Sequence, residues 1–229
     1  MQGETGVSIS LDRLGKRYGT TWVLRDLSFH VPPGALCVVC GPPGAGKTTL
    51  LRLMVGLERP DEGNIRVEGF DAWEDRSILR YRTAFVPERF GTYPHLTVAE
   101  YFEFFEASYA VPLEQRSALR EELLELVDLQ ERRDAYIDDL GPDQKHWLGL
   151  ARGLVHDPDV VVLDEPMRNM SPAGVEEMVD MLQELAKLGK SVVVSAAQPL
   201  ENMEEFTHID MVQRGDLVLQ TATGMVVRP

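Results

Sequence analysis

From Ser8 to Val31 apolar and polar residues alternate. "VSISLDRL" and "WVLRDLSFHV" each follow the period of two expected of a half-buried strand, and the turn-rich "GKRYGTT" separates them. "PPG" then breaks the chain before "ALCVVC", an uninterrupted apolar run that predicts a third, fully buried strand. "GPPGAGKTT" leads into a helix, "TTLLRLMVGLE", which "RPDEGN" ends, and "IRVEGFD" predicts another short strand. A strand and loop follow at "YRTAFVPERFGTYPHLTV".

After that loop the period changes to that of a helix. Thr97 and Glu100 form a T-x-x-E capping box ahead of "YFEFFEASY", and "LEQRSALREELLELVDL" spaces its leucines helically. "PDQKHWLGLARGLV" is a third helix with Pro142 suited to its first position. Strand character returns at "DVVVLDE". Ser171 and Pro172 then open a helix that Gly189 closes, "KSVVVSAA" is a strand, and "IDMVQRGDLVLQ" predicts a closing hairpin. The expected plan is one α/β domain, with a core at 1–88 and 156–229 and a helical lobe inserted at about 89–155.

Bulk properties narrow the function classes. The 229 residues are 44% hydrophobic and 26% charged, an ordinary balance for a soluble globular protein. A net charge of -14 argues against a surface that embraces nucleic acid, which needs clustered Lys and Arg. It leaves nucleotide binding open, since backbone amides and one Lys suffice there. Cys37 and Cys40 are three apart on a predicted strand, so they are expected on opposite faces as two core thiols rather than as a disulfide or metal pair. No basic segment followed by an apolar one opens the chain, and no apolar run has the length of a bilayer span. Contact with a membrane is expected only through another protein.

The chemistry concentrates in two stretches. Gly41–Thr48, "GPPGAGKT", is G-x-x-x-x-G-K-[ST] between an apolar strand and a helix. Gly44 and Gly46 let the backbone fold into a nest of amides for a β-phosphate, completed by the positive end of the helix, and Pro42, Pro43 and Ala45 make up the rest of the loop. Lys47 reaches the β- and γ-phosphates. Thr48 offers a hydroxyl to Mg²⁺, and Thr49 follows it. In "VVVLDE", Asp164 leaves the end of a buried strand and is placed to hold a water on Mg²⁺. Glu165 is placed to polarise an attacking water. ATP and Mg²⁺ are the expected cofactors.

On these motifs, their order and their spacing, from about Ser8 to Gln220, the chain resembles the nucleotide-binding subunit of an ATP-binding cassette (ABC) transporter. The resemblance implies a P-loop NTPase core of ABC type, with an N-terminal antiparallel β subdomain and an inserted helical subdomain. It implies that Tyr18 in "KRYG" stacks on adenine. "FVPERFGTYPHLTVAEYFEFF" looks like the branch that energises exporters, with the surface near Glu88–Pro94 meeting a transmembrane permease. The implied location is peripheral, on the cytoplasmic face of the membrane.

Four positions depart from the family. Glu88, in "VPER", stands where a Gln touches Mg²⁺ and the attacking water, and a carboxylate still ligates Mg²⁺. Gly141, Pro142 and Asp143 replace the Ser-Gly-Gly of the signature "LSGGQ", of which Leu140 and Gln144 remain. That loop grips the γ-phosphate bound to the opposite subunit. Pro142 removes an amide donor, and Asp143 is expected to fill the anion site of its own helix. Ser171 replaces the Asp of "SGLDP", which communicates across the dimer, and still serves as a helix cap. "SAAQPLEN" aligns with segments such as "SSHYLEE", so Gln198 takes the place of the switch His; a slip of one places Ala197 there, and neither is His. The Walker half of the site is thus complete and the signature half damaged, which favours a heterodimer with a second cassette over a homodimer. The rival expectations are an ATP-binding structural module with little hydrolysis, and a soluble ABC protein unconnected with transport.

Overall fold

The computed structural model describes residues 8–89, 91, 93 and 95–198, and the backbone of two further strands at 207–211 and 217–221. Two sheets organise these residues. In the first, β1 (Ile9–Tyr18) and β2 (Thr21–Val31) form an antiparallel hairpin, and β1 also pairs with β4 (Glu62–Val67), which pairs with β5 (Phe70–Asp71). The β1–β2 hairpin is longer than the alternation predicts. Pairing continues through Lys16↔Leu24 and Arg17↔Trp22 to Tyr18↔Thr21, so most of "GKRYGTT" is strand. Register shifts between Leu11 and Arg17 absorb the extra residues, and such bulges disguise a strand by interrupting its period.

The second sheet has the order β10-β9-β3-β8-β7-β6, with β3 at Leu36–Cys40, β6 at Thr83–Val86, β7 at Val160–Leu163, β8 at Ser191–Ala196, β9 at Thr207–Met211 and β10 at Leu217–Thr221. All its pairings are parallel except the closing β9–β10 hairpin. β3, β7 and β8 are buried on both faces, which explains the unbroken apolar runs of β3 and β7 and the three valines of β8. Their residues alternate between two cores. Cys37, Val39 and Val193 face β1, β2 and helix α1 (Lys47–Met54), while Cys40, Val161 and Val194 face the other helices. The two cysteines therefore point to opposite cores, and burial pushes the Cys37 thiol up to about 12, leaving it protonated and inert.

A four-residue helix, α2 (Arg76–Leu79), has no counterpart in the expected pattern, being too short to show a period. Between β6 and β7 lie α3 (Val98–Ser108), α4 (Leu113–Leu126) and α5 (Pro142–Leu154), with 3₁₀ turns at Gln130–Arg132 and Ile137–Asp139. Thr97 and Glu100 make both halves of the capping box, and Pro142 holds the first position of α5. After β7 comes α6 (Pro172–Lys187), with Ser171 as its N-cap and Gly189 just beyond it at φ +92. Among the described residues no helix is long and apolar enough to cross a membrane.

Arg120 of α4 pairs with two carboxylates of α3, the exposed Glu103 at 2.6 Å and Glu106. Glu106 is fully buried, and its two oxygens accept from Arg120 Nε at 3.0 Å and Nη2 at 2.8 Å. Removing the guanidinium leaves a buried carboxylate without compensation, a loss of about 3–5 kcal/mol. Arg120→Ala is expected to lower the melting temperature by roughly 10 °C for a chain of this size. Arg120→Met combined with Glu106→Leu should recover most of the loss in a thermal melt, because the burden is the orphaned charge rather than the missing contact.

Candidate functional site

Because β3, β8, β7 and β6 are consecutive and parallel, their C-terminal ends emerge along one edge. The loops that follow them therefore meet: Gly41–Thr48 after β3, Asp164 and Glu165 after β7, Glu88 after β6, and Ala197 and Gln198 after β8. Open α/β sheets place their ligand sites at such an edge.

The glycine loop is shaped by backbone needs. Gly44 and Gly46 have φ of +83 and +97, the left-handed region. A Cβ on Gly46 would stand 2.9 Å from the side chains of Leu24 and Val23, so no other residue fits where α1 begins. Ala45 is buried beneath the loop. Lys47, almost entirely buried, donates to the carbonyls of Gly41 at 2.6 Å and Pro42 at 3.3 Å, and its ammonium lies 3.1 Å from Glu165 Oε1.

Asp164 is fixed by two hydroxyls. Thr48 Oγ1 donates to Oδ2 at 2.8 Å, and Ser195 Oγ donates to Oδ1 at 2.7 Å. Ser195 Oγ also accepts the backbone N–H of Glu165 at 2.9 Å, which links β8 to the acidic pair. Glu165 itself has φ +49, a conformation uncommon outside glycine and a frequent companion of functional sites. Ser195 was not legible as a site residue, because a Ser inside "VVVSA" carries no local signal.

A cavity of about 380 Å³ opens over the loop. Pro43, Gly44, Gly46, Lys47, Thr48 and Thr49 form its floor. Glu88, Glu165 and Arg168 bring charge to its walls, and Ala197 also lines it. Gln198 does not; it is exposed and borders a neighbouring groove along α6. Ala197 borders that groove as well as the cavity. Tyr18 is half-exposed beside the cavity. Its hydroxyl donates to Glu58 and also meets the Thr49 side chain. Burial, then Glu58, raises its pKa. Glu88 forms an ion pair with Arg168, a residue the sequence reading passed over.

This donor set fits a Mg-nucleotide. Lys47 is already drawn to the loop by its carbonyls, and the hydroxyl of Thr48 and the carboxylate of Asp164 are adjacent hard oxygen donors.

The signature segment behaves differently from expectation. Leu140 is buried, and Gln144 Oε1 accepts the Gly141 N–H at 3.0 Å, closing the start of α5. The carboxylate of Asp143 does not turn back over its own helix start. It leaves α5 for α6, accepting Ser171 Oγ at 2.5 Å and Ser171 N at 3.1 Å. Ser171 in turn accepts the Gly174 N–H at 3.1 Å. A Cβ on Gly174 would stand 2.7 Å from Asp143 Oδ2. The departures at 143 and 171 are thus bonded to each other, with a glycine making room. Phe90, Thr92 and Pro94, within the surface expected to meet a permease, lie outside the described residues.

Comparison with known proteins agrees with this arrangement. The family model described as "ABC transporter" matches residues 24–168. The "Nod factor export ATP-binding protein I" of Paraburkholderia xenovorans (strain LB400) is 33% identical over 221 residues, covering 96% of this chain and 72% of that protein. The "Fe(3+) ions import ATP-binding protein FbpC" of Escherichia coli (strain K12) is 33% identical over 179 residues, covering 78% of this chain and 51% of that protein. Among solved structures, the dimeric ATP-binding cassette MJ0796 bound to ADP and Pi superimposes with a TM-score of 0.83 at 23% identity, over 94% of this chain and 99% of that one. The fold, the glycine loop and acidic pair at one sheet edge, and a match over most of the length place this chain in the family of ABC transporter ATP-binding proteins.

Proposed function

We propose that the chain is the ATP-binding subunit of an ABC transporter of the exporter type, binding Mg-ATP in its Walker half and completing hydrolysis only beside a second, different cassette. In this reading Gly41–Thr48 holds the phosphates and Tyr18 meets the adenine. Thr48, Asp164 and Glu88 serve Mg²⁺, and Glu165 accepts a proton from the attacking water. The unit is a single nucleotide-binding domain, with core 1–88 and 156–229 and helices at about 89–155. It acts on the cytoplasmic face of the membrane through a transmembrane permease, and the 96% coverage by a relative named for Nod factor export supports the exporter branch.

The observation that carries the reading is an asymmetry. Lys47, Thr48 and Glu165 line one cavity with Asp164 bonded to Thr48 behind it, whereas the signature loop presents a carboxylate already engaged with Ser171. A homodimer would contain two damaged composite sites. A heterodimer keeps one serviceable site.

The isolated chain is therefore expected to bind Mg-ATP and turn it over slowly. Steady-state phosphate release, with Glu165→Gln as the chemical blank, measures this. Brisk turnover by the pure chain that Glu165→Gln removes would refute the claim of a damaged signature. A native complex holding two copies of this chain and no second cassette would refute the heterodimer.

A further inference from the structure

Two cation–carboxylate pairs close over the nucleotide cavity: Lys47 with Glu165, and Arg168 with Glu88. The glycine-loop motif accounts for the first. The second joins two sequence-distant residues, 80 apart, that line the cavity together. Arg168 sits in the turn directly after Glu165, its N–H donating to Glu165 O at 3.0 Å. Its backbone is also hydrogen-bonded by His146 of α5. The backbone is thus held from two sides, while the guanidinium is more than half exposed and reaches the cavity wall.

The charge around the cavity needs this group. Glu88 and Glu165 each bring a negative charge to a place that must accept a triphosphate, and Asp164 lies just behind Thr48. Lys47 alone cannot balance them. Were Glu88 to ligate Mg²⁺, Arg168 would lose its partner and its guanidinium donors would be free to face the cavity. Position 197, which lines the same cavity, is Ala and offers no side-chain donor to a terminal phosphate.

We propose that Arg168 is a γ-phosphate ligand supplied within the same chain, exchanging Glu88 for the terminal phosphate of Mg-ATP. The proposal rests on Mg-ATP binding at Gly41–Thr48. A guanidinium in cis is a known solution to γ-phosphate charge in other P-loop enzymes. Here it makes binding selective for triphosphate over diphosphate, because Mg-ADP has nothing at the position Arg168 reaches.

Calorimetric titration of the full chain with Mg-ADP and with the Mg complex of the β,γ-imido analogue of ATP tests it. Arg168→Ala is expected to weaken the triphosphate analogue about tenfold, the size of one charged contact at a partly exposed site, and to leave Mg-ADP within about twofold. Arg168→Lys, which keeps a charge, should retain most of the preference. Equal loss for both nucleotides marks a structural role and overturns the proposal, as does an unchanged preference in Arg168→Ala. Lys47→Ala serves as the reference. If that variant still binds both nucleotides, the site assignment itself has failed. If it binds neither while Arg168→Ala keeps the wild-type preference, only the role of Arg168 has failed.

Discussion

Lys47→Ala removes measurable Mg-ATP and Mg-ADP binding, with affinity falling at least a hundredfold in calorimetric titration. The loss has two sources. Each hydrogen bond from the ammonium to a phosphate oxygen is a charged contact of about 1.5–3 kcal/mol. The ammonium also lies 3.1 Å from Glu165, so its removal leaves that carboxylate uncompensated in the space the phosphates must enter. A unit charge about 4 Å from a phosphate oxygen opposes binding by about 4 kcal/mol at an effective dielectric of 20, an upper bound for a site open to water. Either term alone gives at least tenfold, and together they exceed a hundredfold. The fold should survive, because Leu50, Leu51 and Leu53 of α1 remain packed in the core. A far-ultraviolet spectrum like that of the wild type is the control. Undiminished binding by a folded Lys47→Ala chain removes the assignment of Gly41–Thr48 as the phosphate site.

What the sequence disclosed depended on how far apart the interacting residues lie. The glycine loop, the Thr97–Glu100 box and Pro142 at the start of α5 act within a few residues of themselves, and each appears where its local pattern places it. β3, β7 and β8 were legible because burial on both faces leaves runs of three or more consecutive apolar residues. The length of β1 was hidden by bulges, which break period two without breaking the pairing. Arg168 escaped notice because its partner Glu88 is 80 residues away, and the Asp143–Ser171 bond spans 28. Arg168 looks like a solvated side chain until the sheet order brings β6 beside β7.

Replacing Gly141, Pro142 and Asp143 by Ser, Gly and Gly is expected to produce the largest gain of function: ATP-induced dimers of this chain where the wild type remains monomeric. Asp143 lies in the first turn of α5, where family members receive the opposite subunit's γ-phosphate. Its repulsion of a phosphate about 4 Å away is worth up to about 4 kcal/mol, or several hundredfold in affinity. Pro142→Gly returns an amide donor to the helix start, at a cost in stability of about 1 kcal/mol. The structure adds a second consequence. With Asp143 gone, the hydroxyl and amide of Ser171 lose their acceptor, and position 171 becomes free to carry an acid again. Ser171→Asp alone sets two carboxylates where a 2.5 Å hydrogen bond now stands and should lower the melting temperature, whereas in the Asp143→Gly background it should not. Light scattering with Mg-ATP, in a Glu165→Gln background that keeps the nucleotide intact, compares wild type, the triple variant and the triple variant with Ser171→Asp. Dimerisation should rise in that order, because the last form has both its signature and its cross-dimer acid restored. If the triple variant stays monomeric at saturating Mg-ATP, the charge of Asp143 is not what keeps two copies of this chain apart. If Ser171→Asp is equally harmful with and without Asp143, the bond between the two positions is incidental rather than the reason they differ together.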